Sequence, residues 1–428
     1  MSTLVLFGVF FIAIILGTPL GVSIGLATLV VMEFVAGTPK STLLIKNAIV
    51  GADNFPLVAV PMFILAGEIM LAGGLSKRIV AAANSLVGNV RAGLAYVNVL
   101  SSMFFAAISG SSPATVAAIG SNMIPEMEKR GYRRDFSAAL TAASGMLGVM
   151  IPPSIPLIIY GVTANVSLGS LFLAGILPGI LFGLSYMVVA RLIVHKNYQA
   201  PTRLQQDDSI MEVGDGKSGI WALIVPVIIL GGIYGGVFTP TEAAGVAVIY
   251  ALFVSIFIYK EIKLQDLTGI FVKSGMVSAT VMIMVVMAFA FGRLLTIQQV
   301  PVQLADWIAG ISNSMVVIMM LVNLLLLVVG MFMEPVAAII ILAPILLPVV
   351  EAVGIDPLHF GIIMTCNLAI GFCTPPVGIN LFVASTISEV KVEAIIKKVI
   401  PFLFAMLVSM ALITYVPTIS TFLPSLAQ

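Results

Sequence analysis

The sequence predicts an all-α polytopic membrane protein made of two inverted repeats, and three observations carry that prediction. Of 428 residues, 60% are hydrophobic and 9% charged, with a mean hydropathy of +1.17; soluble domains carry about 25% charged residues. Apolar runs recur from end to end, at 4–35, 221–237, 276–291 and 315–332, close to or beyond the roughly 20 residues a helix needs to cross a bilayer core. They are continuous rather than alternating, which argues against a β-barrel. Thirdly, helix-breaking elements interrupt the runs in matched pairs. The net charge of +1 offers no imbalance that would draw nucleic acid.

The hydrophilic stretch 196–217 divides the chain near its midpoint. Across it, G-V-M-I-P-P at 148–153 matches G-F-C-T-P-P at 371–376 with a shift of 223 residues. Ser112-Pro113-Ala114 matches Glu334-Pro335-Val336 with a shift of 222. Interruptions at corresponding places in two apolar halves point to a buried binding site. The predicted order is a crossing at 4–35, one at 55–75, a re-entrant helical hairpin at about 92–127, a broken crossing at 134–166 and a crossing at 170–195. A linking helix at 218–237 comes next. The plan then repeats as 241–259, 274–296, a second hairpin at about 315–350, a broken crossing at 357–388 and a crossing at 400–423. The units are 1–195, first repeat; 196–240, loop and linking helix; and 241–428, second repeat. Short interfacial helices are expected at 41–50 and 300–311. The N-terminus lacks a charged n-region and a cleavage site, so the first segment is expected to remain a membrane helix. With the hairpins entering from opposite faces, seventeen of the twenty Lys and Arg residues fall on one side. The positive-inside rule makes that side cytoplasmic and places the N-terminus inside; an extra crossing near 36–54 would move it outside.

A broken helix survives in hydrocarbon only where it is buried in protein or lines a cavity. S-G-S-S-P at 109–113 leaves backbone groups free beside three hydroxyls. Hydroxyls and carbonyls suit a hard monovalent cation; amides opening the next half-helix suit a carboxylate, assisted by the helix dipole. The same holds at 333–336 and at both P-P elements, where Thr374, Asn380 and Ser154 supply side-chain oxygens and Asn165 and Asn367 stand nearby in sequence. The plain alternative for any single break is a kink healed by a neighbouring helix; four breaks in two symmetric pairs favour a site. Small-residue runs at 17–21 and 175–179 are expected to pack helices closely.

Few charges lie within the apolar runs: Glu68, Glu242, Arg293 and Glu334, with Glu33 near an end. Such residues are costly and usually paired or functional. Arg293 either forms a structural ion pair or snorkels, or turns its fork on a substrate carboxylate; at a shift of about 225, Glu68 is its counterpart. Glu334 either caps the following half-helix or serves a cation or proton. Cys366 and Cys373 are expected as small buried residues rather than a metal pair, and His195 and His359 as solvated interface residues.

Taken together, S-G-S-S-P-A-T-V-A-A-I-G, G-V-M-I-P-P-S-I-P-L-I-I-Y-G, F-M-E-P-V-A-A-I-I-I-L-A-P and C-T-P-P-V-G-I-N-L-F-V-A-S resemble one family over essentially the whole chain. They are similar to the large membrane subunits, DctM- and SiaM-like, of tripartite ATP-independent periplasmic (TRAP) transporters in the ion-transporter superfamily. The resemblance implies an elevator-type, multi-pass secondary transporter of the bacterial inner membrane, driven by Na⁺, with no organic cofactor and no enzymatic step. It implies three partners: a separate small membrane subunit of four helices, a periplasmic substrate-binding protein, and an organic acid of the sialic acid or C4-dicarboxylate class. The expected substrate contacts are Arg293, Ser109, Ser111, Ser112, Thr115 and Ser154. The expected sodium contacts are Ser109, Gly110, Ser111, Pro113, Gly330, Met333, Glu334, Gly371, Thr374, Pro375, Gly378 and Asn380, while Pro152, Pro153 and Pro376 complete the unwound elements. Two alternatives stand beside this expectation. A one-component Na⁺/carboxylate symporter of the same superfamily would need no soluble partner. An intramembrane enzyme would use Ser109 or Ser111 as nucleophile, but no G-x-S-x-G elbow, H-E-x-x-H pair or placed histidine accompanies them.

Overall fold

The computed structural model describes residues 2–35, 42–90, 92–197, 216–303 and 314–427. In chain order its helices are α1 (Ser2–Ile15), α2 (Leu20–Phe34), α3 (Thr42–Ala52), α4 (Ala59–Ala72), α5 (Leu75–Val87), α6 (Gly93–Ser109), α7 (Ser112–Lys129), α8 (Arg134–Gly145), α9 (Ile155–Ala164) and α10 (Leu168–Asn197). The chain continues with α11 (Gly216–Tyr234), α12 (Pro240–Phe253), α13 (Asp266–Ile297), α14 (Met315–Phe332), α15 (Pro335–Ala352), α16 (Pro357–Gly371), α17 (Ile379–Ser388), α18 (Val392–Tyr415) and α19 (Thr418–Leu426). No strand occurs among the described residues, and seven helical segments there are long and apolar enough to cross a membrane. The chain is a multi-pass, all-α membrane protein.

Residues 4–35, expected as one crossing, form two helices. The reason is local. Gly17 adopts φ +81, Thr18 Oγ1 donates to Ala13 O at 2.8 Å and meets Ser23 Oγ at 2.6 Å, and Pro19 takes the N-cap of α2. Only glycine turns the chain there without steric cost. The two helices fold back on each other. Along α13, Thr3 meets Gln298 and Phe10 meets Phe291, whereas Gly21 abuts Met284 and Gly25 abuts Met287. α1 therefore runs antiparallel to α13 and α2 parallel to it. The N-terminus lies beside the far end of α13, opposite the end that carries Lys273, and so on the face away from the basic residues. That corrects the N-inside expectation.

Each half contains one hairpin and one broken crossing. The first pair is α6–α7, followed by α8, a 3-10 turn at Met146–Val149 and α9. The second is α14–α15, followed by α16 and α17. Both Pro152-Pro153 and Pro375-Pro376 are cis. Packing is reciprocal between the halves: α7 lies on α17 while α15 lies on α9, and α2 lies on α13 while α4 lies on α12. Matched contacts of this kind are what two related halves of opposite direction produce.

α5 packs on α6 and α11, where the Arg78 Nη2 reaches Glu261 Oε1 at 3.1 Å and its guanidinium lies 3.8 Å from the Tyr259 ring centroid. α3 coincides with the short helix expected at 41–50, and α11 with the linking helix. Residues 198–215 and 304–313 are outside the described residues, and with them most of the hydrophilic stretch and of the expected helix at 300–311.

Candidate functional site

The first hairpin turns at Gly110, whose φ of +59 ends α6; Ser111 is extended and Pro113 sits in the first turn of α7, where its missing N–H costs nothing. Three oxygens gather at this tip. Ser109 Oγ lies 3.0 Å from Thr115 Oγ1, and Thr115 Oγ1 donates to Ser111 O at 2.8 Å. The tip presses on both unwound segments. On its own half, Ile155 N donates to Gly110 O at 3.5 Å, and Gly148 lets Ser111 O come so close that a Cβ there would overlap it. On the other half, Asn380 Nδ2 donates to Ser112 Oγ at 2.8 Å and to Ala142 O at 3.0 Å, while Ser112 Oγ meets Asn380 Oδ1 at 3.0 Å. Both residues are fully buried. Cys373 Sγ donates to the same Ala142 carbonyl at 3.2 Å.

The second hairpin turns through extended Met333 and Glu334. Glu334 holds the N-cap position of α15, and its carboxylate lies against the backbone N–H groups of Val336 and Ala337 in the first turn of that helix. Gly371 and Gly330 meet backbone to backbone, with no room for a Cβ on Gly371. Thr374 Oγ1 donates to Ile370 O at 2.9 Å, Pro375 belongs to the cis pair, and Gly378 opens α17 at φ +47. Ser154 caps α9: its hydroxyl donates to Val149 O at 2.6 Å and accepts from Leu157 N at 3.3 Å. Among the described residues the structure thus brings Ser109, Gly110, Ser111 and Thr115 together, joins Ser112 to Asn380, and sets Gly330 against Gly371.

Arg293 lies elsewhere. It lines a cavity of about 230 Å³ with Thr163 at the end of α9, Thr296 on α13, and Ile340 and Pro344 on α15. None of the hairpin-tip oxygens lines that cavity. No carboxylate among the described residues pairs with Arg293; its sequence counterpart Glu68 is taken by Lys273, Nζ to Oε2 2.7 Å. A guanidinium without an internal counterion, facing a largely apolar cavity with two hydroxyls, is equipped to hold one anionic group.

Several residues differ from expectation or went unnoticed in the sequence. His359 is buried, not solvated, because α19 folds over it: Nδ1 meets Ser420 Oγ at 2.6 Å and Nε2 lies 3.3 Å from Thr414 O. Asn165 ends α9 at φ 55 on an exposed corner. Asn367 instead donates to Asn323 Oδ1 at 2.8 Å, tying α16 to α14. Thr163 and Thr296 carried no signal beyond Thr296 standing one turn after Arg293. Gly148 and Gly371 open the two quoted motifs, and their role is the close approach of each hairpin.

The family description "Tripartite ATP-independent periplasmic transporter, DctM component" matches residues 7–419. The isethionate TRAP transporter permease protein DctMQ of Oleidesulfovibrio alaskensis is 46% identical over 98% of this chain, which spans 66% of that relative. The C4-dicarboxylate TRAP transporter large permease protein DctM of Pseudomonas aeruginosa is 42% identical over 87% of each chain. The sialic acid TRAP transporter large permease protein SiaM of Vibrio cholerae is 40% identical over 88% of each. Among solved structures, the Alcanivorax borkumensis YdaH transporter, described as having an unusual topology, matches with a TM-score of 0.61 at 15% identity over 87% of both chains, a likeness of fold alone. Its relatives being transporter permeases, the chain is a transport protein, and it belongs to the DctM-component family of tripartite ATP-independent periplasmic transporters.

Proposed function

We propose that the chain is the large permease of a Na⁺-driven TRAP transporter of the inner membrane that imports a small organic acid handed over by a periplasmic binding protein. The DctM family works with a small permease and such a binding protein; here the small four-helix subunit is taken as a separate partner. The single observation that carries this reading is the hairpin-one tip, where Ser109, Ser111 and Thr115 present oxygens beside two unwound segments. Those oxygens, with backbone carbonyls, suit Na⁺. Gly330, Met333, Glu334, Gly371 and Thr374 would supply a second, backbone-rich cation position.

Arg293 would receive the anionic group of the substrate in its cavity. The substrates for which the relatives are named, isethionate, C4-dicarboxylates and sialic acid, share a negative charge and little else. The hairpins and broken crossings interlock through Ser112–Asn380 and the two glycine contacts, so they would move as one body against α1–α4 and α11–α13. Sodium drives uphill flux only if it favours the state that holds the anion. In proteoliposomes containing the small subunit and supplied with the loaded binding protein, an inward Na⁺ gradient should drive uptake. Equal uptake with the gradient collapsed would reject sodium coupling, and uptake without the binding protein would favour a one-component symporter.

A further inference from the structure

We propose that the ends of α8 and α18 on the basic face of the protein hold the headgroup phosphate of an anionic phospholipid. Arg133, Lys391, Lys397 and Lys398 surround a cavity of about 420 Å³ together with Asp135 and Glu393. Asp135 is already engaged by Arg133, at 3.1 Å to Nε and 2.7 Å to Nη2. The three lysines have no carboxylate partner within ion-pair distance among the described residues. Two helix N-termini converge here, and that of α18 has no side-chain cap. Lys391 takes the N-cap of α18 and Lys397 and Lys398 its second turn; the partial positive charge of the first turn adds to this crowding of cations, which an anion between them would relieve.

The continuation of α18 beyond the lysines favours a lipid over a free anion. Lys397, Ile400, Phe404 and Val408 share one helix face, and the three apolar side chains are 57%, 69% and 46% exposed. Acyl chains would lie along that stripe while the phosphate meets the lysines above it. Basic pockets between helices at the cytoplasmic surface bind anionic headgroups in this way.

The test titrates the purified full-length chain in detergent with dioleoylphosphatidylglycerol, dioleoylphosphatidylcholine or sodium phosphate, reading the thermal midpoint and lipid adducts in native mass spectra. Phosphatidylglycerol should raise the midpoint by several degrees and remain as an adduct, while phosphatidylcholine and phosphate do neither. Lys397→Gln with Lys398→Gln should at least halve the shift, and Lys397→Arg should retain it, which separates lost charge from a misfolded variant. Equal responses to the two lipids, or an undiminished response in the glutamine variant, would overturn the proposal. Stabilisation by phosphate alone equal to that by lipid would overturn it too, in favour of a soluble anion.

Discussion

The two hairpin tips use one backbone device with different chemistry. Hairpin one turns on Gly110 and is held by side chains: Ser109 to Thr115, Thr115 to Ser111, and Ser112 to Asn380 in the other half. Hairpin two turns through Met333 and Glu334, whose carboxylate meets the first backbone N–H groups of α15, and rests on its broken helix through the backbones of Gly330 and Gly371. Each tip therefore needs a glycine on the opposing segment, but only the first needs hydroxyls. The first is a preorganised cluster of side-chain oxygens; the second sets a carboxylate on the backbone N–H groups of the half-helix that follows it.

Substitutions that separate these two kinds of support should rank accordingly. Gly371→Ala places a Cβ against Gly330 backbone, which has no side chain to move aside, and should cost more than about 3 kcal/mol or prevent accumulation of folded protein. Gly148→Ala meets Ser111 O and the rotatable Thr115 hydroxyl, and should cost less. Size-exclusion profiles and thermal midpoints in detergent decide it; a tolerated Gly371→Ala would contradict the backbone contact. Asn380→Leu strands the Ser112 hydroxyl and leaves the Ala142 carbonyl with only the weak Cys373 thiol donor, at about 2–3 kcal/mol. Adding Ser112→Ala should then cost less than the sum of the single effects, and strict additivity in that cycle would show that the two residues do not act as a pair. Thr115→Val should lose about 1 kcal/mol, whereas Glu334→Gln, which keeps a side-chain oxygen for the Val336 and Ala337 N–H groups, should stay within about 0.5 kcal/mol. Equal losses at the two tips would remove the distinction drawn between them.

Both hairpins and both broken crossings were legible in the sequence, because glycine and proline act through the backbone and their spacing survives inversion of the halves. The fold-back at Leu16–Pro19 was hidden by the same logic. G-T-P-L-G looks like a packing run, and only the contacts of Gly21 and Gly25 with α13 reveal that the chain has reversed. Glu68 and Arg293 hold corresponding positions in the two halves by count, which predicts no contact between them, and Glu68 pairs with Lys273. His359 was misjudged because its cover, α19, arrives some sixty residues later, beyond any local pattern. The Arg293 cavity draws on three helices distant in sequence, so Thr163 and Thr296 had no motif to announce them.

In the proposed mechanism sodium sits at the hairpin-one tip and the anion at Arg293, in separate places. Initial uptake rates in proteoliposomes, measured against sodium and against the loaded binding protein for wild type, Thr115→Val and Arg293→Ala, test that separation most directly. Thr115→Val should raise the half-saturating sodium concentration about tenfold, the equivalent of roughly 1.4 kcal/mol, with the dependence on substrate little changed. Arg293→Ala should weaken the response to substrate and leave sodium half-saturation near that of wild type. Wild-type sodium dependence in Thr115→Val, or full transport by Arg293→Ala, would contradict it.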